Sequence, residues 1–133
     1  MFLTALEDFD YKPYYRDGEL VRGKVVTQST LVWSLEGLGK ITVPSGFVTD
    51  LASLPWFTLF LFKRLGKHQR GAVLHDYLYR TKWFTKTYTD KQFNIAMKQD
   101  NVARWRRNLI MSGLAVGGWV AWAKNKSIEI AKV

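Results

Sequence analysis

At 133 residues the chain has the size of one domain, able to bury roughly 70% of the surface that its unfolded form exposes. Hydrophobic residues make up 47% and charged residues 23%, which excludes a disordered tail, a collagen-like repeat and an acidic low-complexity segment, and the absence of cysteine excludes a disulfide scaffold, a thiolate zinc site and a cysteine nucleophile. Twenty Lys and Arg against eleven Asp and Glu give a net charge of +9, a field that favours anionic partners such as nucleic acid or phospholipid head groups.

In chain order, Met1 to Leu6 runs straight into Glu7 and Asp8 with no cationic start or apolar stretch, so no signal peptide is expected. Arg16-Asp17-Gly18 reads as a turn, and Glu19 to Val26 and Leu31 to Ser34 have the β-branched, alternating character of strands. Glu36-Gly37-Leu38-Gly39 reverses the chain into Lys40 to Val43. The first 43 residues are predicted to form a small antiparallel sheet that serves as scaffold. From Pro44 to Pro55 two prolines and Gly46 predict a shaped loop, because proline blocks regular ladder pairing. Trp56-Phe57 and Leu59-Phe60-Leu61-Phe62, ended by Lys63-Arg64, form a run too short to cross a bilayer, which takes about 20 helical residues. It reads either as a buried helix turn or as an exposed interfacial knob.

Three helical stretches follow. Gln69 to Arg80 places Ala72, His75 and Tyr79 on one face. Thr89, with Gln92 three residues on, has a capping-box pattern and predicts a helix from Asp90 to about Asp100. A third helix is predicted from near Val102 to about Lys124, opening with Arg104, Arg106 and Arg107 and continuing through the mostly apolar Leu109 to Ala123. Gly113 and Gly117 have the spacing that lets helices approach closely. Burial is the first expectation for this segment, with membrane contact and an exposed association face as alternatives. The fold class is therefore α+β, a single domain with a β-rich part (1–43), a shaped loop with an apolar run (44–68) and a helical part (69–124). Residues 1–50 carry five bases against seven acids, whereas residues 51–133 carry fifteen against four, a net +11.

The residues with the most chemistry lie in Arg70 to Arg80. On a helix His75 and Tyr79 are one turn apart, while Asp76 points about 100° away, so imidazole and carboxylate address neighbouring parts of one cavity. Asp90, expected in the first turn of the next helix and kept ionised by its N-terminus, is the acid placed to orient the imidazole. A neutral histidine that takes a proton from water needs its other ring nitrogen held by an acceptor. The same residues also suit a buried, hydrogen-bonded histidine with no chemistry. A glycine-rich phosphate loop with lysine, a zinc-spaced histidine pair and a Gly-flanked serine elbow are not found. His68 shares a side with His75 only if the helix starts early.

The blocks Val43 to Pro55, Gly71 to Arg80, Thr89 to Phe93 and Ala96-Met97 resemble a family of small uncharacterised phage and prophage proteins, over residues 43 to about 107. That resemblance implies a viral origin and places the protein in the host cytoplasm, at the inner membrane or in the virion. The helix pair also resembles the core of phospholipase A-two enzymes, with Ala72, His75, Asp76, Tyr79, Asp90 and Phe93 in the matching places. By that resemblance His75 is the general base, Asp90 orients it, Asp76 is a calcium ligand, and calcium (Ca2+) polarises the ester carbonyl. The glycine-rich calcium loop has no counterpart before the helix, so Asp50 and the backbone around Gly46 are expected to complete the ligand set. Tyr79 and Ser53 stand as supporting residues.

Two classes of function follow. One is a calcium-dependent esterase at an anionic membrane surface, with Trp56, Phe57, Phe60, Phe62, Lys63 and Arg64 as its interfacial patch. The other is a non-catalytic phage accessory or virion protein whose basic, aromatic-rich half contacts nucleic acid, lipid or a partner subunit, a further copy of itself included.

Overall fold

The computed structural model describes residues 1–50, 69–124 and 126–132. The sheet begins with a hairpin of β1 (Tyr11–Arg16) and β2 (Glu19–Thr27). Asp17 and Gly18 have φ of 52° and 81°, the paired positive angles of a two-residue primed turn, and Arg16 pairs with Glu19. The turn stands where the sequence predicts it, whereas β1 was not predicted; Pro13 is the residue in it that disfavours a strand. Here β1 is the outer strand of a three-stranded sheet with β2 at its centre, an edge at which a missing N–H costs no ladder bond, and the register shifts between Pro13 and Tyr15.

A second sheet pairs β3 (Leu31–Leu35) with β4 (Gly39–Val43), so the predicted strands divide between two sheets. The loop predicted over 44–55 needs a correction, since Val48–Asp50 forms β5 antiparallel to β2. Pro44 lies before this segment, the β-branched Val48 and Thr49 favour extended backbone, and Gly46, at φ +85°, turns the chain into it. The backbone of residues 129–131 then lies along the same stretch: Val48 N–H donates to the Glu129 carbonyl (2.9 Å) and Ala131 N–H to the Gly46 carbonyl (2.7 Å).

Three helices follow the strands: α1 (Gln69–Thr81), α2 (Lys86–Gln99) and α3 (Arg104–Ala123). The predicted start of α2 is one turn late. Its N-cap is Thr85, whose side chain accepts from the Tyr88 N–H; Thr89 is inside the helix, and its buried hydroxyl makes no hydrogen bond. Asp90 therefore sits beyond the first turn, and the helix dipole is not what keeps it ionised. In α3, Ile110, Gly113, Leu114 and Gly118 are buried while Val116 and Val120 are exposed, so the helix is buried on one side only. Among the described residues no helix is long and apolar enough to cross a membrane.

The main core packs Leu31, Trp33 and Leu35, alternate residues of β3, with Phe2 and Phe47 against Val73, Leu74, Tyr77 and Leu78 of α1. Trp33 sits edge-on to Phe2 and its indole N–H donates to Gln92 in α2 (3.0 Å). A second cluster, Ala72, Phe93, Met97, Val102, Ile110 and Leu114, joins the three helices. At the far end of the helical layer the buried Arg70 forks onto Asp100, with Nε donating to Oδ2 at 2.7 Å and Nη2 to Oδ1, while Nη1 donates to the Thr4 carbonyl (2.8 Å). Removing one member of a buried ion pair strands the other charge. Arg70→Met is expected to destabilise the fold by about 3–5 kcal/mol, with most of that loss recovered in Arg70→Met/Asp100→Leu; denaturant melts of the two variants check the cycle.

Candidate active site

The helix pair brings His75 and Asp90 together. Nε2 of His75 is 2.7 Å from Oδ1 of Asp90, and the phenol of Tyr79, one turn along α1, donates to the same oxygen at 2.6 Å. A carboxylate can only accept, so the ring is held as the Nε2–H tautomer and the lone pair of its neutral form lies on Nδ1. The imidazole lies beside Tyr79, at a centroid distance of 4.1 Å, and Phe93, at 4.6 Å, and only 1% of His75 is exposed.

The other oxygen of Asp90 accepts from Lys86 Nζ at 2.8 Å. Lys86, expected only as one of the basic anchors of a binding face, was not expected at this site. It is four positions before Asp90, a helical pair that becomes readable once α2 starts after Thr85. Its ammonium also donates to the Leu114 carbonyl of α3 (2.9 Å) and lies 4.9 Å above the Trp119 ring. Gly118 permits this close approach, because a Cβ there would stand 3.1 Å from Lys86 Nζ and 3.2 Å from the Tyr79 hydroxyl. Of the predicted small pair, Gly113 is buried as expected, but it is Gly118 rather than Gly117 that meets the polar cluster.

Burial alone would push the Asp90 carboxyl up, but the hydrogen bonds of His75, Lys86 and Tyr79 outweigh it and hold the group below the usual carboxylate range. Burial, followed by the hydrogen bond to Asp90 and its charge, pushes the Tyr79 phenol far up, so it remains a donor. A cavity of about 370 Å³ between α2 and α3 reaches Asp90 and Lys86, with Met111, Ala115 and Trp119 on its α3 side.

Asp76 turns the other way. Its Oδ2 accepts from the Thr49 hydroxyl of β5 (2.7 Å) and pairs with Arg80 Nη2 (3.1 Å), and Arg80 Nε reaches Oδ1 at 3.2 Å. Asp50 is placed by its backbone, opposite Lys24; its side chain, together with Ser53, Trp56, Phe57, Phe60, Phe62, Lys63, Arg64 and His68, lies outside the described residues. Among the described residues no three His, Asp or Glu side chains gather as a metal site.

A carboxyl whose folded pKa is depressed contributes stability that is complete above its ordinary value, here 3.8, and is lost as pH falls through the folded value. Asp90→Asn is therefore expected to be less stable than the parent at neutral pH, by about 3 kcal/mol for a broken buried ion pair. The gap should narrow as pH falls below 3.8, which denaturant melts across pH would read.

No curated protein and no solved structure matches the chain. A family model does match, over residues 25–114, a span that runs from β2 into α3 and includes His75, Asp76, Tyr79, Lys86 and Asp90. The chain belongs to the family described as a protein of unknown function, DUF1353.

Proposed function

We propose that this is a phage-encoded accessory protein with a phospholipase-like hydrolase site, in which His75 and Asp90 activate water against an ester at a membrane surface. One observation carries the reading: the 2.7 Å contact between Nε2 and the Asp90 carboxylate fixes the ring with Nδ1 as its basic nitrogen. In the reaction, Nδ1 takes a proton from water as the oxygen attacks the ester carbonyl. The tetrahedral intermediate then expels the alkoxide, which takes that proton back from the ring, leaving a fatty acid and an alcohol. Asp90 stabilises the imidazolium between the two steps, and Tyr79 and Lys86 keep it ionised. The net +11 on residues 51–133 favours an anionic lipid as substrate.

Calcium, which the phospholipase resemblance implies, does not fit the described donors. The Arg80 guanidinium lies against both oxygens of Asp76, and a cation there would meet that charge.

The near-complete burial of His75 favours a second reading, in which the cluster only supports the fold and the protein binds without catalysis. Release of fatty acid from phosphatidylglycerol vesicles separates the two. The hydrolase reading expects release by the parent and a loss of about 100-fold or more in His75→Gln, the scale of general-base catalysis. Equal rates in parent and variant, or no release by either with calcium or with a chelator, would leave the binding reading.

A further inference from the structure

We propose that the outer face of α3 is a docking surface for an anionic lipid bilayer, with the helix lying flat in the interface. Trp105, Leu109, Val116, Trp119 and Val120 are 60, 45, 86, 57 and 67% exposed. Their spacings of four, seven, three and one place them within one side of the helix, opposite the buried Ile110, Leu114 and Gly118. Exposed apolar residues are ordinary when scattered, but a stripe from Trp105 to Val120, interrupted by the exposed Ser112 and running along about 24 Å of helix, is what a surface built for contact shows.

Charge identifies the occupant. Residues 101–128 contain three Arg and two Lys and no Asp or Glu, and these bases cluster at the two ends of the stripe: Arg104, Arg106 and Arg107 at one, Lys124 and Lys126 at the other. A second copy of the chain is disfavoured. In a parallel arrangement the arginine clusters would face one another, and in an antiparallel one they would face the lysines, so either pairing opposes like charges. An anionic head-group layer meets both ends with opposite charge while the acyl boundary takes the stripe. The two tryptophans fit the same plane, fourteen residues and about 21 Å apart on one face, since indole rings favour the head-group level. Arg106 lies 5.0 Å from the Trp105 ring centroid, keeping its cation beside the apolar band.

This surface is independent of the proposed hydrolysis, and it differs from the apolar run at residues 56–64. Its position has a bearing on the site all the same. Trp119 belongs both to the stripe and to the wall of the cavity that reaches Asp90 and Lys86, so a bilayer on this face would lie at the mouth of that cavity.

Co-sedimentation with vesicles of ether-linked phosphatidylglycerol, which cannot be hydrolysed, tests the proposal without reference to activity. The parent is expected to bind these at least about tenfold better than ether-linked phosphatidylcholine, and Val116→Asp/Val120→Asp to lose about tenfold or more, the scale of two charges placed in an interface. Both side chains are exposed, so circular dichroism and melting temperature should match the parent; a second pair, Leu109→Ser/Trp105→Ser, with the same expected loss, serves if they do not. The proposal is overturned by unchanged binding in a folded variant pair, by no binding of the parent, or by a parent dimer that the aspartates dissolve. Retention of the parent on a single-stranded oligonucleotide but not on vesicles would also overturn it, assigning the face to nucleic acid.

Discussion

One carboxylate organises the helical half. Asp90 accepts from His75 and Tyr79 of α1 and from Lys86 of its own helix, and Lys86 passes the connection to α3 through the Leu114 carbonyl. An ionised carboxylate at this depth would be costly alone. With three donors it specifies how the three helices meet, because a shift of any one of them strands a buried polar atom. The groups act as a unit, so the effect of removing one is not its separate share. The glycine at position 118 belongs to the same constraint, since any larger residue there would press on the Lys86 ammonium and the Tyr79 hydroxyl.

The same rule recurs across the basic part of the chain. Asp76 lies against Arg80, Asp90 against Lys86, Asp100 against Arg70 and Glu129 against Arg16. These are all four acids of residues 51–133, and the side chains of the first three pairs are each no more than 9% exposed. Three of the four acids in this half are thus taken up in internal pairing, while Glu129 pairs at the surface with Arg16, and the outward field is left largely to the remaining bases. That division explains how a chain with so large a charge imbalance still closes a polar interior.

Much of this was legible beforehand, and the parts that were not have physical reasons. Helical spacing put His75 and Tyr79 on one face, and a carboxylate shortly downstream was the natural acceptor; the bonds at 2.7 and 2.6 Å answer to that pattern. Lys86 was hidden by the choice of Thr89 as a cap: with the helix started one turn late, the Lys86–Asp90 pair fell outside it. Thr85 and Thr89 are both threonines ahead of polar residues, and only packing decides between them. Strand β1 was hidden by Pro13, which excludes a central strand but not an edge. The partner of Asp76 could have been read from its four-residue spacing to Arg80, whereas Thr49 could not, because nothing local in the sequence says that β5 passes over α1.

The contact between the 129–131 backbone and the segment around Phe47 joins parts of the chain more than eighty positions apart. Tyr14 and Arg16 add side-chain bonds to Glu129 from β1, and Arg80 donates to the Ser127 carbonyl. At the opposite side the Phe2 N–H donates to the Gln99 side-chain oxygen (2.7 Å) while its ring lies under Arg70. The strands and the helices are consequently interlocked at both margins, each depending on residues encoded beyond the other. Neither half is a separable module, and a ribosome must have released the chain past residue 131 before the first sheet can acquire this neighbour.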